Sequence, residues 1–165
     1  MTIREARPSD LPRYAIIERA AATLYAPWGL DGVFAATETA SERVTEAIAR
    51  GELIVAADDA DVMIGYALIG WDEDDLHLEE LAVEPRYGRH GRGTALLHAT
   101  VSLARARGAR RVTLITLDFV PFGKAFYERR GFALLDDTAL SPRLRELAPP
   151  HQRDGRVAMG MQITG

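Results

Sequence analysis

The chain has 165 residues, of which 47% are apolar and 27% are charged, a composition ordinary for a soluble globular protein with a core. It contains no cysteine, which excludes a disulfide framework and a thiol nucleophile. Its net charge of −4 argues against a general nucleic-acid binder.

The pattern of apolar residues, glycines and prolines predicts a single domain, residues 1–165, in which strands and helices alternate. In chain order the pattern predicts a strand at 2–7, helices at 9–21 and 42–50, strands at 53–57, 62–71 and 76–83, a helix at 94–107, a strand at 111–117, a helix at 121–130, and strands at 132–135 and 157–163. This order is typical of an α/β fold with a mixed central sheet of about 6–7 strands flanked by about 4 helices. The segment 136–156 holds three prolines and is predicted as a long excursion.

Several classes of site and location are disfavoured. Four scattered histidines lack the spacing of a metal site. No apolar run approaches the length of a membrane span, and the N-terminal residues lack the apolar core of a signal peptide. We therefore expect a cytoplasmic protein that needs no metal and binds no membrane.

The most informative stretch is a glycine-rich loop between a predicted strand and a predicted helix. Leu81, Ala82 and Val83 end the strand, and the glycines at 88, 91 and 93 follow before the helix begins at Thr94. Backbone N–H groups in such a loop and the positive end of the helix dipole converge on an anion. The loop therefore predicts a phosphate-bearing ligand.

Two common nucleotide sites fit the loop poorly. Its glycines follow the order G-x-x-G-x-G, the reverse of the dinucleotide fingerprint, which also requires an acid about 20 residues later. No acid stands at 109–113. A nucleotide P-loop requires a lysine after the glycines, whereas the one lysine of this chain is Lys124.

The loop closely resembles the acyl-CoA pyrophosphate loop of the GNAT (N-acetyltransferase) superfamily, whose pattern is [Q/R]-x-x-G-x-[G/A]. Gly88 departs from the usual glutamine or arginine, so we expect the loop to rely on backbone amides and on Arg89 or Arg92. The resemblance implies the GNAT fold and acetyl-CoA as donor. It implies that the donor is held by Leu81, Ala82, Val83, Gly88, Arg89, His90, Gly91, Arg92, Gly93 and Thr94.

Strand alternation breaks at Glu79-Glu80, where a bulge would bring Leu78 and Leu81 to one face. In the superfamily such a bulge opens a gap in which the exposed strand backbone, here Leu81 and Val83, pairs with the pantetheine arm. A nearby carboxylate can remove the proton of a substrate ammonium. Glu79 and Glu80 are thus candidate general bases, and Glu79 is preferred because it matches the acid of an L-E-[DE] run in related acetyltransferases.

A second motif, Val120 to Phe132, resembles the superfamily's N-x-x-A-x-x-F-Y-x-x-x-G-F block. Tyr127 falls on the tyrosine that protonates the departing sulfur, and the pKa of a phenol suits that role. The alternative for Tyr127 is a core aromatic. Val120 and Gly123 replace the usual asparagine and alanine, and the first change removes a side-chain contact to CoA.

The resemblance places the acceptor between the first two helices and the last hairpin. Candidate residues are Glu18, Tyr25, Trp28 and Asp31 in the first region, Arg143, Arg145 and His151 in the second, and His77 beside Glu79. A carboxylate with aromatic rings suits a cationic amine. That amine is a small molecule or belongs to a protein or peptide; an aminoglycoside, a polyamine, an amino acid and a protein N-terminus all remain open.

These features predict a cytoplasmic N-acetyltransferase in which a primary amine attacks acetyl-CoA directly, with a strand carboxylate as base and Tyr127 as acid. Homodimers are common in the family, and a homodimer is compatible with this prediction. The alternative function is a non-catalytic acyl-CoA-binding sensor or regulatory domain. The presence of both Tyr127 and a strand carboxylate favours the enzyme.

Overall fold

A computed structural model gives the structure of the protein and describes residues 1–150 and 154–164. The strands of this part of the chain are β1 (Thr2–Glu5), β2 (Leu53–Ala57), β3 (Met63–Asp72), β4 (Asp75–Val83), β5 (Arg111–Leu117), β6 (Ala133–Leu134) and β7 (Arg156–Gln162). They form one sheet in the order β1-β2-β3-β4-β5-β7-β6. The sheet is mixed, because β4 pairs with β5 in parallel while the pairs β1–β2, β2–β3, β5–β7 and β6–β7 are antiparallel.

The helices of the described residues are α1 (Leu11–Ala22), α2 (Asp31–Ala35), α3 (Ser41–Arg50), α4 (Arg92–Ala106), α5 (Lys124–Glu128) and α6 (Pro142–Leu147). The predicted α/β fold with a mixed sheet is confirmed, and its helix count is somewhat higher than the expected four. The additional helices are α2 and α6, which have five and six residues. Such short helices leave little 3.6-residue periodicity in the sequence. The 136–156 excursion is therefore partly helical.

The chain divides into two compact units. The first unit comprises Met1–Ile69 and Glu80–Thr100, and the second comprises Gly70–Glu79 and the described residues of Val101–Gly165. None of the helices in the described ranges is long and apolar enough to cross a membrane.

In the first unit, α1 and α3 pack onto an antiparallel sheet. A buried cluster contains Tyr14, Ile17, Val44, Ala47, Leu53, Val55, Met63, Tyr66, Leu68 and Ala82. On α1 the apolar positions recur every three or four residues, so one face of the helix enters this cluster. Gly51 ends α3 in the left-handed conformation at φ 65°, which glycine adopts without steric cost.

In the second unit, β5 pairs with β7 along seven positions, from Arg111↔Gln162 to Leu117↔Arg156. Three residues of β4, Leu76 to Leu78, pair with β5. Asp75 is 1% exposed and accepts charge-assisted hydrogen bonds from Arg110 and Arg111. These bonds compensate the burial of the carboxylate and fix the start of β4.

Candidate active site

The predicted donor loop lies in the first unit, between a short 3-10 turn (Pro85–Tyr87) and α4. Arg89 and Gly91 adopt left-handed conformations at φ 60° and φ 77°. The loop opens directly into the 15 residues of α4. Helix geometry leaves the first-turn N–H groups without intrahelical acceptors, and the helix dipole makes that end positive. The arrangement suits a phosphate.

Three arginines near this loop are engaged within the protein. Glu84 accepts from Arg13 at 2.5 Å and pairs with Arg86 at 2.6 Å. Arg92 donates through Nη1 to the carbonyl of Tyr87 at 3.0 Å. Within the described residues, Arg92 Nε is buried without a hydrogen-bond partner. A buried N–H without an acceptor is costly, so an anion at the loop would complete the arginine's bonding.

The backbone predicted to bind pantetheine, Leu81 to Val83, ends β4. Gly65 on β3 permits a close approach to it, because a Cβ atom at position 65 would lie 2.9 Å from the carbonyl oxygen of Ala82 and 3.1 Å from Val83 Cγ2. Glu84 N donates to Ile64 O at 2.9 Å and continues the pairing. These contacts fix the strand end from which the loop departs.

Glu80 lies at the centre of a hydrogen-bond network in the first unit. Its Oε1 accepts from the Tyr66 hydroxyl at 2.5 Å, and its Oε2 accepts from the Tyr14 hydroxyl at 2.6 Å. The two phenol rings stack with their centroids 4.1 Å apart. The Thr39 hydroxyl lies 3.3 Å from Glu80 Oε2. The network holds both carboxylate oxygens in fixed positions.

Burial raises the pKa of Glu80, and the negative charge of Glu18 acts in the same direction. Hydrogen bonds from Tyr14, Tyr66 and Thr39 favour the charged form and offset part of this rise. The same burial, together with the charge of Glu80, raises the pKa values of Tyr14 and Tyr66. Both phenols therefore stay protonated and serve as donors. Glu80 is a carboxyl group whose pKa lies above the ordinary value of 4.5.

Glu18 joins the same network. It is 8% exposed, and its Oε1 accepts from the backbone N and the hydroxyl of Thr39 at 2.8 and 2.9 Å. Glu18 and Glu80, 62 positions apart in the sequence, thus meet at one threonine hydroxyl. The structure therefore unites two of the residues proposed from the sequence.

Tyr25 and Trp28 lie in a 3-10 turn (Thr23–Trp28) that follows α1. Tyr25 stacks on Phe34 with ring centroids 4.0 Å apart. Burial and the charge of Glu80 raise the pKa of Tyr25, so this ring lies within electrostatic reach of the carboxylate. Trp28 is exposed. The first unit thus places the ring of Tyr25 close to Glu80.

The second unit contains Glu79, whose surroundings differ from those of Glu80. Arg143 on α6 donates from Nη2 to Glu79 Oε1 at 3.2 Å. The neighbouring His77 is 3% exposed, and its Nδ1 lies 2.9 Å from Thr113 Oγ1. Burial and the charge of Arg143 lower the pKa of His77 to about 4. His77 is therefore a neutral, buried imidazole at neutral pH.

Tyr127 lies on α5 in the second unit and is 8% exposed. Its ring meets Phe126 and Phe132 edge to face, with centroids 5.0 and 5.7 Å apart. Gly123 precedes α5 in a tight corner, because a Cβ atom there would lie 2.0 Å from the carbonyl oxygen of Leu117. This corner explains why glycine stands where the superfamily block carries alanine.

A cavity of about 760 Å³ also lies in the second unit, near the start of β7. Its lining includes Asp118, Phe119, Leu135 and Asp154. Among the described residues, its lining includes none of the predicted catalytic side chains. His151 of the predicted acceptor region lies outside the described residues.

The sequence interpretation missed three members of the Glu80 network, Tyr14, Tyr66 and Thr39. One signal was available: Tyr14 and Glu18 are four residues apart, which places them on one face of a helix. Tyr66 and Thr39 carry no such signal, because only the folded chain brings them to Glu80.

Comparisons with known proteins agree with this architecture. The acetyltransferase (GNAT) family model matches residues 14–132. The chain is similar to the PaiA N-acetyltransferase of Thermoplasma acidophilum in complex with coenzyme A, with 18% identity, 98% of each chain covered and a TM-score of 0.77. It is similar to the ribosomal-protein-S18-alanine N-acetyltransferase of Escherichia coli, with 23% identity, a TM-score of 0.68, and 99% of this chain and 94% of that chain covered.

A third similar structure is the N-acetylglutamate synthase of Neisseria gonorrhoeae complexed with coenzyme A and N-acetyl-glutamate. The identity is 20% and the TM-score is 0.77. The match covers 99% of this chain but 35% of that chain, so the chain spans about a third of the synthase. At these identities the likeness concerns the fold.

Proposed function

Because the chain belongs to the acetyltransferase (GNAT) family, we propose that it moves an acetyl group from acetyl-CoA to a primary amine by direct attack. The observation that carries this proposal is Glu80, a largely buried carboxyl group held by two phenol hydroxyls and raised in pKa. A general base works best when its pKa lies near the working pH. An ordinary surface carboxylate is too weak a base to deprotonate an ammonium efficiently.

The donor fits the loop at 88–94. Arg89 and Gly91 are left-handed and α4 begins directly after them, so this loop offers backbone N–H groups for a pyrophosphate. Arg92 Nε, buried without a partner among the described residues, offers one further donor. Two neighbours of similar fold were solved with coenzyme A. The acetyl thioester supplies the activated carbonyl, and the protein supplies the binding and the proton transfers.

Between the two adjacent acids, Glu80 is the better base. Glu79 pairs with the cation Arg143, and a neighbouring positive charge stabilises the charged form of a carboxylate. Glu80 is largely buried and faces Glu18, and both raise its pKa, while the hydrogen bonds from the phenols offset only part of that rise. We therefore assign the general base to Glu80 rather than to Glu79, which the sequence pattern preferred.

Tyr127 is the proposed acid for the departing sulfur. A phenol has an ordinary pKa near 10, somewhat above that of a thiol, so it can protonate a thiolate. Its edge-to-face contacts with Phe126 and Phe132 restrict the ring and therefore direct its hydroxyl.

The acceptor is a cationic amine, drawn to Glu18 and Glu80 and to the rings of Tyr25 and Trp28. The names of two neighbours refer to an amino-acid product and to a protein alanine. Both small-molecule and peptide amines are thus proposed acceptors.

A thiol-release screen with acetyl-CoA tests the proposal directly. Amino acids, polyamines, aminoglycosides and peptides with free N-termini form the panel, and release of CoA that depends on one class supports the enzyme. Binding of acetyl-CoA is checked separately by thermal shift, with NAD as the negative control. Binding without release for every amine would contradict the enzyme and support a sensor.

Within that assay, Tyr127→Phe is expected to lower turnover at least about tenfold, because it removes the proton donor for the sulfur. The dissociation constant of CoA and the unfolding temperature should change little, since the ring and its contacts remain. Unchanged turnover would show that the acid assignment is wrong.

A further inference from the structure

The Thr39 hydroxyl is placed between two carboxylates in the first unit. It lies 2.9 Å from Glu18 Oε1 and 3.3 Å from Glu80 Oε2. Thr39 N also donates to Glu18 Oε1 at 2.8 Å, which fixes Glu18 independently of the hydroxyl. A hydroxyl has one proton to donate and two lone pairs to accept, so it can receive a proton on one side while giving one on the other.

The proposed reaction must dispose of a proton. A substrate ammonium loses two protons in all, one before its nitrogen bonds to the acetyl carbon and one afterwards. The carbon–sulfur bond breaks and the sulfur takes up one proton. Each turnover therefore releases one net proton. If it stayed on Glu80, the base would be unavailable for the next amine.

Resting on the proposed function, we propose that Thr39 is a positioning residue that passes the substrate proton from Glu80 to Glu18. Glu80 takes the proton from the ammonium and, once that proton is on Oε2, donates it to Thr39 Oγ1, while the existing Thr39 O–H proton moves to Glu18 Oε1. Glu80 is again a carboxylate, Thr39 is unchanged, and Glu18 holds the proton until water removes it.

The surroundings of Glu80 favour this route. In the part of the chain that the structure describes, the ionisable groups that interact with Glu80 are Tyr14 and Glu18 from α1, Tyr25 from the following turn and Tyr66 from β3. The phenols have raised pKa values and already donate or stay protonated, so they take up no further proton. Glu18 is the one member of this set that can accept a proton as a carboxylate.

The carboxylate of Glu80 also has lone-pair sites that remain available for the proton transfer. A carboxylate offers about four lone-pair sites, and the Tyr14 and Tyr66 hydroxyls occupy one each. The remaining sites can face the ammonium and Thr39. Tyr14 and Tyr66 hold the orientation of the group while its protonation changes.

The first test replaces Thr39 with valine, which keeps the shape and removes the hydroxyl. We expect Thr39→Val to lower kcat about tenfold, a fraction of the full effect of a general base. The KM values for amine and acetyl-CoA should stay within about twofold. Thr39→Ser should restore kcat, and Thr37→Val, whose hydroxyl bonds only to α2 carbonyls in the described structure, should match the wild type.

The second test measures titration rather than turnover. In protein carrying ¹³C-labelled glutamate, Glu18→Gln should lower the pKa of Glu80, because it removes a negative charge coupled through Thr39. The acid limb of the pH profile of kcat/KM should move to lower pH together with the pKa of Glu80. Glu38→Gln, an exposed acid paired with Arg19, is the matched control and should leave both unchanged.

The outcomes separate this inference from the function on which it rests. Full activity of Thr39→Val, or equal loss in the valine and serine variants, would overturn the relay while Glu80→Gln still abolished turnover. Full activity of Glu80→Gln would overturn the base assignment itself. A Glu80 pKa indifferent to Glu18→Gln would contradict the coupling regardless of activity.

Discussion

Glu79 and Glu80 are adjacent in the sequence, yet the protein places their carboxylates in opposite electrostatic surroundings. Glu80 meets phenols, a threonine hydroxyl and a second acid, while Glu79 meets the guanidinium of Arg143. Burial and the charge of Glu18 raise the pKa of Glu80 despite its hydrogen-bond donors, whereas Glu79 pairs with a cation. Two identical side chains one residue apart therefore have different partners, and this difference supports the choice of base.

The largest effect should come from removing the two acids in turn. Glu80→Gln is expected to lower kcat about a hundredfold or more, the range of general-base catalysis. Glu79→Gln keeps the polar contact with Arg143 and should stay within about threefold. Both rates are measured in the thiol-release assay with the best amine. Equal losses would remove the distinction between the two environments.

The free energy of unfolding should depend on pH with opposite signs for His77 in the second unit and Glu80 in the first. His77 in the second unit has a folded pKa of about 4, while the unfolded value is 6.5, so the unfolded state binds more protons between these values. Stability should rise with pH across that window, by on the order of 3 kcal/mol in total. Urea unfolding of His77→Gln should lose this dependence, whereas His98→Gln at an exposed position should keep it.

Glu80 should show the opposite sign. The pKa of Glu80 in the folded state is raised above the unfolded value of 4.5. Above pH 4.5 the folded state therefore binds more protons than the unfolded state, and stability falls as the pH rises through that region. Glu80→Gln should abolish this decrease of stability with pH. A wild-type curve identical to that of Glu80→Gln would contradict the raised pKa.

A smaller effect should follow from the phenols. Tyr66→Phe removes a donor to the charged form of Glu80, so the pKa of Glu80 should rise further and the acid limb of kcat/KM should move to higher pH. Loss of a donor to a buried carboxylate should cost about 1–3 kcal/mol of stability at neutral pH. Tyr14→Phe should act in the same direction. An unchanged acid limb in both variants would argue that Glu80 is not the titrating base.

The smallest effect concerns Arg143. Arg143→Met removes a positive charge that lowers the pKa of His77, so that pKa should rise from about 4 while staying below 6.5 because of burial. The imidazole proton signals followed by NMR against pH give the value. Arg145→Met, whose guanidinium bonds to the carbonyls of Asp137 and Leu140, is the control and should leave His77 unchanged.

Much of the fold was predictable because its signals are local. The strands at 53–57 and 111–117 match β2 and β5 to the residue, since β-branched and apolar runs there are bounded by turn residues. The donor loop was likewise predictable, because strand, glycines and helix start are contiguous. The short helices α2 and α6 were missed, as their few residues carry too little periodicity.

The Glu80 network was predictable only in part. Its strand position and the helical Glu18 could be proposed from the sequence, but Thr39 and Tyr66 reach Glu80 across 41 and 14 positions. The pairing of Glu79 with Arg143 spans 64 positions. Contacts of this kind depend on tertiary packing, which one sequence does not encode in any local pattern.

Gly123 sets a limit on how this protein can be redesigned. Since a methyl group there would overlap the Leu117 carbonyl, the corner before α5 cannot be exchanged for the alanine form one residue at a time. A loop taken from a relative would have to include that relative's own end of β5. The residues from Leu117 to Tyr127 should therefore be exchanged together as one segment, or cassette. Libraries that vary this corner should therefore hold glycine at 123 or replace the cassette whole.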